Sequence, residues 1–235
     1  MRYIRNKITD LLFPRRCAIC DKALIKDESG ICPDCLKRIK YIEEPVCFKC
    51  GRPALNNKEY CDECEVTRHE FIGGRFVFPY DYIGASVYKF KYMNRPEYIA
   101  FYAKAIEERL GEFIRHIDPD GFIPVPIHKK RYIKRGYNQA EELSKELSKL
   151  TGIQTYNDLV LRIKDTVPQK KINKIERQIN MKKAFIVKEN SVKLRKIIVV
   201  DDIFTTGSTI DSLARELKKS GVEKIYFITI TAAGT

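Results

Sequence analysis

All eight cysteines of this 235-residue chain fall in four Cys-X-X-Cys pairs within residues 17–64. Two residues between thiolates allow a tight turn to direct both sulfurs at one tetrahedral ion, and a second turn supplies the other two ligands. Four protein ligands leave no open coordination position, so the pattern predicts two structural zinc sites. The predicted ligands are Cys17, Cys20, Cys32, Cys35, Cys47, Cys50, Cys61 and Cys64.

The spacing does not determine which two turns bind the same zinc ion. Pairing by sequence neighbours gives two consecutive ribbons, whereas a cross-braced arrangement joins the first turn with the third and the second with the fourth. Disulfides are disfavoured, because the N-terminus has no apolar stretch or cleavage site typical of export. We therefore expect a cytoplasmic protein with reduced, metal-bound cysteines.

The chain divides into three parts. Residues 1–14 have an apolar stripe at helical spacing that ends at Pro14, which predicts a short amphipathic helix. Residues 15–66 form the predicted double zinc ribbon, and residues 67–235 form a second domain. No run of 18 apolar residues exists in the sequence, so no membrane span is expected.

The second domain alternates strand and helix patterns, which predicts an α/β fold with a mainly parallel sheet flanked by helices. Strands are predicted at residues 121–125, 159–163, 184–187, 197–200 and 224–230, and helices at residues 96–114, 138–150 and 208–219. Aromatic and β-branched residues at 75–80 and 82–88 predict a hairpin that turns near Pro79.

Most of the net charge of +13 belongs to the second domain, since residues 66–235 carry +11. Bound zinc thiolates would lower the charge of the first 65 residues further. A basic domain of this kind indicates a polyanionic partner, such as a phosphorylated metabolite or a nucleic acid.

Residues 196–209 read KIIVVDDIFTTGST, an apolar strand followed by two carboxylates and a loop rich in hydroxyls. Ligands of open α/β sheets bind at the carboxyl ends of strands. A loop that opens a helix there offers backbone N–H groups to a phosphate, and Asp201 and Asp202 can accept hydrogen bonds from vicinal sugar hydroxyls. The segment therefore predicts a site for a phosphorylated sugar.

This segment resembles the loop of the type I phosphoribosyltransferases that binds phosphoribosyl pyrophosphate (PRPP). The resemblance implies that Asp201 and Asp202 hold the ribose hydroxyls and that the loop holds the 5′-phosphate, with Mg²⁺ accompanying PRPP. The loop residues so implied are Thr205, Thr206, Gly207, Ser208 and Thr209.

Two further stretches, IPVPIHKKR at residues 123–131 and RGYNQA at residues 135–140, narrow the resemblance. Together with the cysteine-rich N-terminus they resemble the competence protein F (ComF) family of bacteria. That family joins a zinc ribbon to a phosphoribosyltransferase-like domain and is tied to DNA uptake in natural transformation. The resemblance covers nearly the whole chain, and it implies other DNA-uptake proteins as partners.

The first of these stretches places several basic side chains after a predicted strand, where this fold has its pyrophosphate-binding loop. The resemblance assigns that role to His128, Lys129, Lys130, Arg131 and Arg135. Arg135 and Asn138 point into the same cleft or cap the next helix, and the sequence favours neither. For Lys89, Lys91 and Arg95 the sequence also leaves two locations open: the acceptor side of the cleft or the surface.

Residues 162–183 form a third basic stretch, predicted as a loop over the pyrophosphate, a contact with a nucleic-acid backbone or a solvated face. Within the wider basic region of residues 129–183, Tyr132, Tyr137 and Tyr156 are candidates for base stacking, although such aromatics more often belong to a core.

The sequence leaves two classes of function open. A binding protein would hold PRPP or a nucleotide phosphate and also bind single-stranded DNA, whereas an active phosphoribosyltransferase would transfer the sugar to a base or amine. No catalytic acid or base can be named from the sequence. A PRPP-sensing regulator is disfavoured, since no helix-turn-helix pattern is present.

Overall fold

The computed structural model describes residues 14–24, 29–54, 58–164, 184–188 and 193–235. Residues 1–13 of the predicted amphipathic helix and residues 165–183 of the third basic stretch lie outside these ranges. In chain order the elements are α1 (Pro33–Lys37), α2 (Asp62–Val66), β1 (Gly73–Pro79), α3 (Tyr80–Tyr92), α4 (Tyr98–Ile117), β2 (Gly121–Pro124), α5 (Lys129–Arg135), α6 (Gln139–Thr151), β3 (Val160–Arg162), β4 (Phe185–Val187), β5 (Lys196–Phe204), α7 (Ser208–Lys219) and β6 (Lys224–Ala232). No helix among the described residues is long and apolar enough to cross a membrane.

Four parallel strands form the main sheet in the order β1-β6-β5-β2, which confirms the predicted α/β fold. Strand β5 pairs with β6 as far as Phe204, but β2 ends at Pro124, opposite Val200. The last four residues of β5 therefore extend beyond β2. Strands β3 and β4 make a separate antiparallel pair.

The alternation of side chains along β5 divides the core into two layers. Ile198 and Val200 pack into a cluster with α3, α4 and α6, whereas Ile197 and Val199 pack into a second cluster with α7 and β4. The helix before β5 and the helix after it thus lie on opposite faces of the sheet. Such a change of face opens a crevice at the carboxyl end of a strand.

The cysteine-rich module occupies both faces of this sheet. Cys17 and Cys35 are buried in the cluster of α3 and α4, and Cys47 and Cys50 are buried in the cluster of α7. The connecting segment passes the free edge of β1, where the Ile42 N–H donates to the Val77 carbonyl at 2.8 Å. The sheet edge therefore lies between the two halves of the module.

The predicted hairpin at residues 75–88 is wrong in its second half. Residues 80–92 form α3, and Pro79 is its N-cap. Ile83, Val87 and Phe90 are fully buried at helical spacing, which is the signal that the aromatic composition obscured. A helix here makes the connection from β1 to β2 a crossover, as a parallel sheet requires.

Candidate functional site

The eight cysteines form two separate clusters, each made of two neighbouring turns. Ribbon 1 holds Cys17, Cys20, Cys32 and Cys35, ribbon 2 holds Cys47, Cys50, Cys61 and Cys64, and the ligand atoms of each cluster lie within 4.8 Å of one another. The Cys20–Cys32 and Cys50–Cys61 sulfur distances are 3.8 and 3.6 Å. Tetrahedral zinc with Zn–S bonds of about 2.3 Å requires sulfurs about 3.8 Å apart, so both clusters fit the metal. The cross-braced alternative is wrong.

Asp21 connects ribbon 1 to the helical layer. Its carboxylate accepts from the Tyr98 hydroxyl at 2.5 Å and from Lys89 at 3.0 Å, and Arg95 lies 3.3 Å away. Burial opposes ionisation of Asp21, but the hydrogen bonds from Tyr98 and Lys89 outweigh it and lower the pKa of the carboxyl. Lys89 and Arg95 therefore serve the contact between ribbon 1 and the helices.

Arg52 connects ribbon 2 to the end of the sheet. The guanidinium donates to the Thr205 carbonyl and, at 3.2 Å, to the Ala233 carbonyl, and it lies 5.2 Å from the centre of the Phe204 ring. Glu63 of the same ribbon pairs with it at 2.5 Å. Ribbon 2 thus contacts the loop that follows β5.

Asp201 and Asp202, the acid pair, belong to the part of β5 that extends beyond β2. The predicted strand stopped at Val200, but pairing with β6 continues through Phe204. The Asp202 side chain lies on the same face of the sheet as Ile198 and Val200, on which α3 packs. The Asp201 side chain lies on the opposite face. The two carboxylates are therefore directed to either side of the sheet at its open end.

Lys91, in the last turn of α3, reaches the acid pair. Its ammonium lies 2.8 Å from the Asp202 carboxylate, and both side chains are largely buried. Burial raises the pKa of Asp201 to about 7, the charge of Asp202 acts in the same direction, and Lys91 opposes both. The ammonium thus offsets part of the repulsion between two carboxylates and an approaching anion.

Residues 205–209, the hydroxyl loop, follow β5 and include the first two residues of α7. Gly207 is the N-cap with a φ of 75°, and a Cβ there would lie 2.9 Å from the His69 ring, so only glycine fits. His69 is held by Asp211 at 2.9 Å and by stacking on Phe71, so it has a structural role beside the loop. Among the described residues, no protein acceptor is found for the N–H groups of residues 205–209.

The hydroxyl-bearing residues of the loop are partly exposed. The Thr206 hydroxyl donates to that of Ser208 at 3.1 Å. The loop therefore presents hydroxyls and unsatisfied amides together at the N-terminus of α7, an arrangement with the chemistry of an anion cradle.

The basic residues predicted on the pyrophosphate side follow β2, next to the end of β5. His128 caps α5 by accepting from the Lys130 N–H at 3.3 Å, and Lys129 and Lys130 are exposed. The parallel register of β2 and β5 brings this loop and the acid pair to the same end of the sheet.

Two other predicted residues lie at the junction of α5 and α6. The Arg135 guanidinium donates to Gln139 at 3.0 Å and stacks 4.8 Å over the Tyr92 ring. Asn138 is buried, caps α6 through Ala140, and donates to the Val125 carbonyl at 3.1 Å. Asn138 thus takes the capping alternative.

Sequence reasoning missed Arg52 and the contact of Lys91 with Asp202. The helical spacing of Ile83, Val87 and Phe90 would have placed α3 against the sheet and Lys91 near its end. No sequence signal connects Arg52 to Thr205, which lies 153 positions later.

Comparison with known families agrees with this architecture. Residues 8–65 match the Double zinc ribbon domain, and residues 133–235 match the Phosphoribosyl transferase domain. Among solved structures, a purine phosphoribosyltransferase from Pyrococcus horikoshii is 18% identical with a TM-score of 0.33, covering 57% of this chain and 83% of that one.

Several curated proteins are similar over nearly their whole length. Competence protein F of Haemophilus influenzae is 32% identical over 222 residues, covering 91% of this chain and 95% of the relative. DNA utilization protein YhgH of Escherichia coli K12 is 28% identical, covering 92% and 96%, and Competence protein ComFC of Bacillus subtilis is 28% identical, covering 87% and 89%. The chain therefore belongs to the competence protein F family.

Proposed function

We propose that this protein binds PRPP with Mg²⁺ at the carboxyl end of β5 and acts in DNA uptake in the cytoplasm. The observation that carries the proposal is the continuity of residues 201–209, which place two carboxylates directly before a loop with unsatisfied amides. Carboxylates beside an anion cradle select a sugar phosphate over a free anion, because sugar hydroxyls need acceptors.

Each part of PRPP has a matching group. Asp201 and Asp202 would accept from the ribose hydroxyls, the hydroxyl loop would hold the 5′-phosphate, and His128, Lys129, Lys130 and Arg131 would face the pyrophosphate. Carboxylate oxygens and phosphates are the hard ligands that Mg²⁺ prefers, so the donor set fits this ion. When bound, Mg²⁺ would neutralise charge on the pyrophosphate.

Thermal unfolding with and without PRPP and Mg²⁺ tests the proposal. Ligand at 100 times Kd stabilises by about 2.7 kcal/mol, which corresponds to a rise in Tm of about 5–10 °C for a chain of this size. Asp201→Ala with Asp202→Ala should abolish the rise. The matched control, Asp34→Ala with Asp158→Ala, removes two exposed acids elsewhere and should preserve it. An intact protein with no PRPP-dependent shift would contradict the assignment.

The alternative activity, transfer of the phosphoribosyl group, requires an acceptor and is separable from binding. Release of pyrophosphate from PRPP on addition of a base or amine would establish turnover. Binding without release for every acceptor class would favour a binding role.

A second function, binding of single-stranded DNA, is favoured by the surface of α3 and α5. Tyr88 and Tyr92 are 59% and 52% exposed with ring centres 4.9 Å apart, and Arg135 of α5 stacks on Tyr92. Exposed Tyr132 and three lysines belong to the same helix as Arg135. Aromatic rings among cations bind single strands by stacking and by backbone charge.

Fluorescence anisotropy with an oligo-dT strand tests this second function. Affinity should fall steeply with salt, and charge reversal at Lys129, Lys130 and Arg131 should reduce the salt dependence. Tyr88→Ala with Tyr92→Ala should weaken binding at every salt concentration, by about 1–3 kcal/mol per stacked base. Charge reversal at Lys149 and Lys219, which are exposed on other helices, is the control. Unchanged affinity in the α3 and α5 variants would exclude this surface.

A further inference from the structure

We propose that Arg52 is a positioning residue for the hydroxyl loop, so that ribbon 2 forms part of the phosphate site. The inference rests on the proposed binding of PRPP and adds a residue from the cysteine-rich module to that site. It gives the second ribbon a role in ligand binding beyond support of the fold.

Arg52 is well suited to hold a fixed backbone position. Its side chain is only 16% exposed, and Glu63 fixes one terminal nitrogen while the other reaches both the Thr205 and Ala233 carbonyls. The planar guanidinium also covers the Phe204 ring. A lysine ammonium is a single point of charge and cannot make the same set of directional contacts at once.

The effect on the loop follows from peptide geometry. In a planar trans peptide the carbonyl and the N–H point in opposite directions. The Phe204 carbonyl accepts from the Ala233 N–H at 2.8 Å, and the Thr205 carbonyl accepts from Arg52. Both carbonyls are thus directed into the protein, and the N–H groups of Thr205 and Thr206 are directed away from it.

Those two N–H groups have no protein acceptor in the part of the chain that the structure describes. Successive N–H groups that face one side form a concave site for an anion. Arg52 therefore prepares the Thr206 amide as a phosphate donor, and without it the Thr205–Thr206 peptide is free to rotate.

Arg75 provides a matched control within the same contact region. It donates to the Cys47 and Phe48 carbonyls of ribbon 2 at 3.4 and 3.3 Å and lies 5.1 Å from the centre of the Phe113 ring. Like Arg52 it joins ribbon 2 to the sheet, but its contacts do not include the hydroxyl loop. The two arginines therefore separate attachment of the ribbon from orientation of the loop.

The experiment measures Kd for PRPP with Mg²⁺ by calorimetry, Tm, and zinc content in full-length wild type, Arg52→Gln, Arg52→Lys and Arg75→Gln. We expect Arg52→Gln to raise Kd at least tenfold with two zinc ions retained, Arg52→Lys to restore part of the affinity, and Arg75→Gln to lower Tm with Kd within twofold of wild type. Affinity for ribose 5-phosphate should fall with that for PRPP in Arg52→Gln.

Each other outcome has a defined meaning. If Arg52→Gln binds PRPP as wild type does, or if Arg75→Gln loses affinity equally, Arg52 has only a structural role and the inference is overturned. If Arg52→Gln does not fold, the Arg52→Lys and Arg75→Gln comparison decides: equal affinities overturn the inference. A folded wild type that binds no PRPP overturns the proposed function itself.

Discussion

The two ribbons are copies of one local structure with different residues at matching positions. In each, the first cysteine N–H donates to a carbonyl five residues later, at 2.8 Å from Cys17 to Lys22 and 2.7 Å from Cys47 to Arg52. The residue after the second cysteine has a positive φ in both, 63° at Asp21 and 78° at Gly51. Backbone geometry is therefore the same in the two turns.

The difference lies in what each turn faces. Asp21 tolerates the left-handed conformation and directs a carboxylate at the cations of α3 and the following turn. Gly51 packs so closely on β1 that a Cβ would lie 2.8 Å from the Gly74 carbonyl, and the next residue, Arg52, reaches the hydroxyl loop. Ribbon 1 thus supports the helix that carries Lys91, and ribbon 2 supports the loop.

The largest effect that tests this division is the loss of one metal ligand in each ribbon. Cys17→Ser should cost more than about 4 kcal/mol of folding free energy, because it releases the buried core beneath α3 and α4 as well as a zinc ion. Cys47→Ser should have a comparable cost, because Cys47 is equally buried in the cluster of α7, and it should also abolish PRPP binding. Denaturation curves, zinc content and PRPP titrations measure both variants, and equal losses of PRPP affinity in the fraction that stays folded would contradict the division.

The acidic residues of the two ribbons offer a smaller test. Asp21→Asn should cost about 3 kcal/mol, since it removes the carboxylate that pairs with partly buried Lys89 and Arg95. Glu63→Gln should cost about 1 kcal/mol, because the neutral amide can still accept a hydrogen bond from Arg52. Urea denaturation gives both values. A larger loss of stability for Glu63→Gln than for Asp21→Asn would contradict the greater structural role given to the acidic residue of ribbon 1.

Much of this arrangement could be predicted from the sequence, because its signals lie within short stretches of the chain. The cysteine spacing predicted both cysteine clusters, and the apolar run of β5 with its polar loop predicted a strand that ends in two carboxylates and a hydroxyl-rich loop. Asp21 and Arg52 could not be assigned, because their partners come from distant parts of the chain, whereas Lys91 was missed because α3 was not predicted. The α3 error had a different cause, since its aromatic composition favours strands while its spacing is helical.

The pH dependence of the acid pair tests the contribution of α3 to the site. The pKa of Asp201 rises from 3.8 to about 7 on folding, so the folded state loses stability as the pH rises from about 4 to about 7. Asp201→Asn should therefore match wild type near pH 4 and exceed it by up to about 4 kcal/mol above pH 7.

Melting temperatures measured from pH 4 to pH 8.5 check this difference, and loss of zinc at low pH affects both proteins alike. Lys91→Met should move the midpoint of the difference to higher pH, because the ammonium no longer favours the carboxylate. A difference that is constant with pH would show that Asp201 titrates normally.

The smallest effect concerns a hydroxyl between α3 and ribbon 1. The Ser86 hydroxyl donates to the Ala18 carbonyl and bonds the Tyr102 hydroxyl, and all three residues are buried. Ser86→Ala should cost about 1 kcal/mol and leave Kd for PRPP unchanged. Chemical denaturation and calorimetry measure the two quantities, and a change in Kd would mean that ribbon 1 also acts on the ligand.

The passage of the inter-ribbon segment along β1 has a consequence for self-association. An outermost strand with unpaired backbone groups is a template on which another chain can add a strand. Here the Ile42 N–H donates to the Val77 carbonyl of β1. Phe48 also packs on this strand, because a Cβ added at Gly73 would lie 3.1 Å from the Phe48 carbonyl oxygen. The cysteine-rich module therefore also shields the sheet from aggregation, and a truncated protein that begins at residue 67 would expose this border to other molecules.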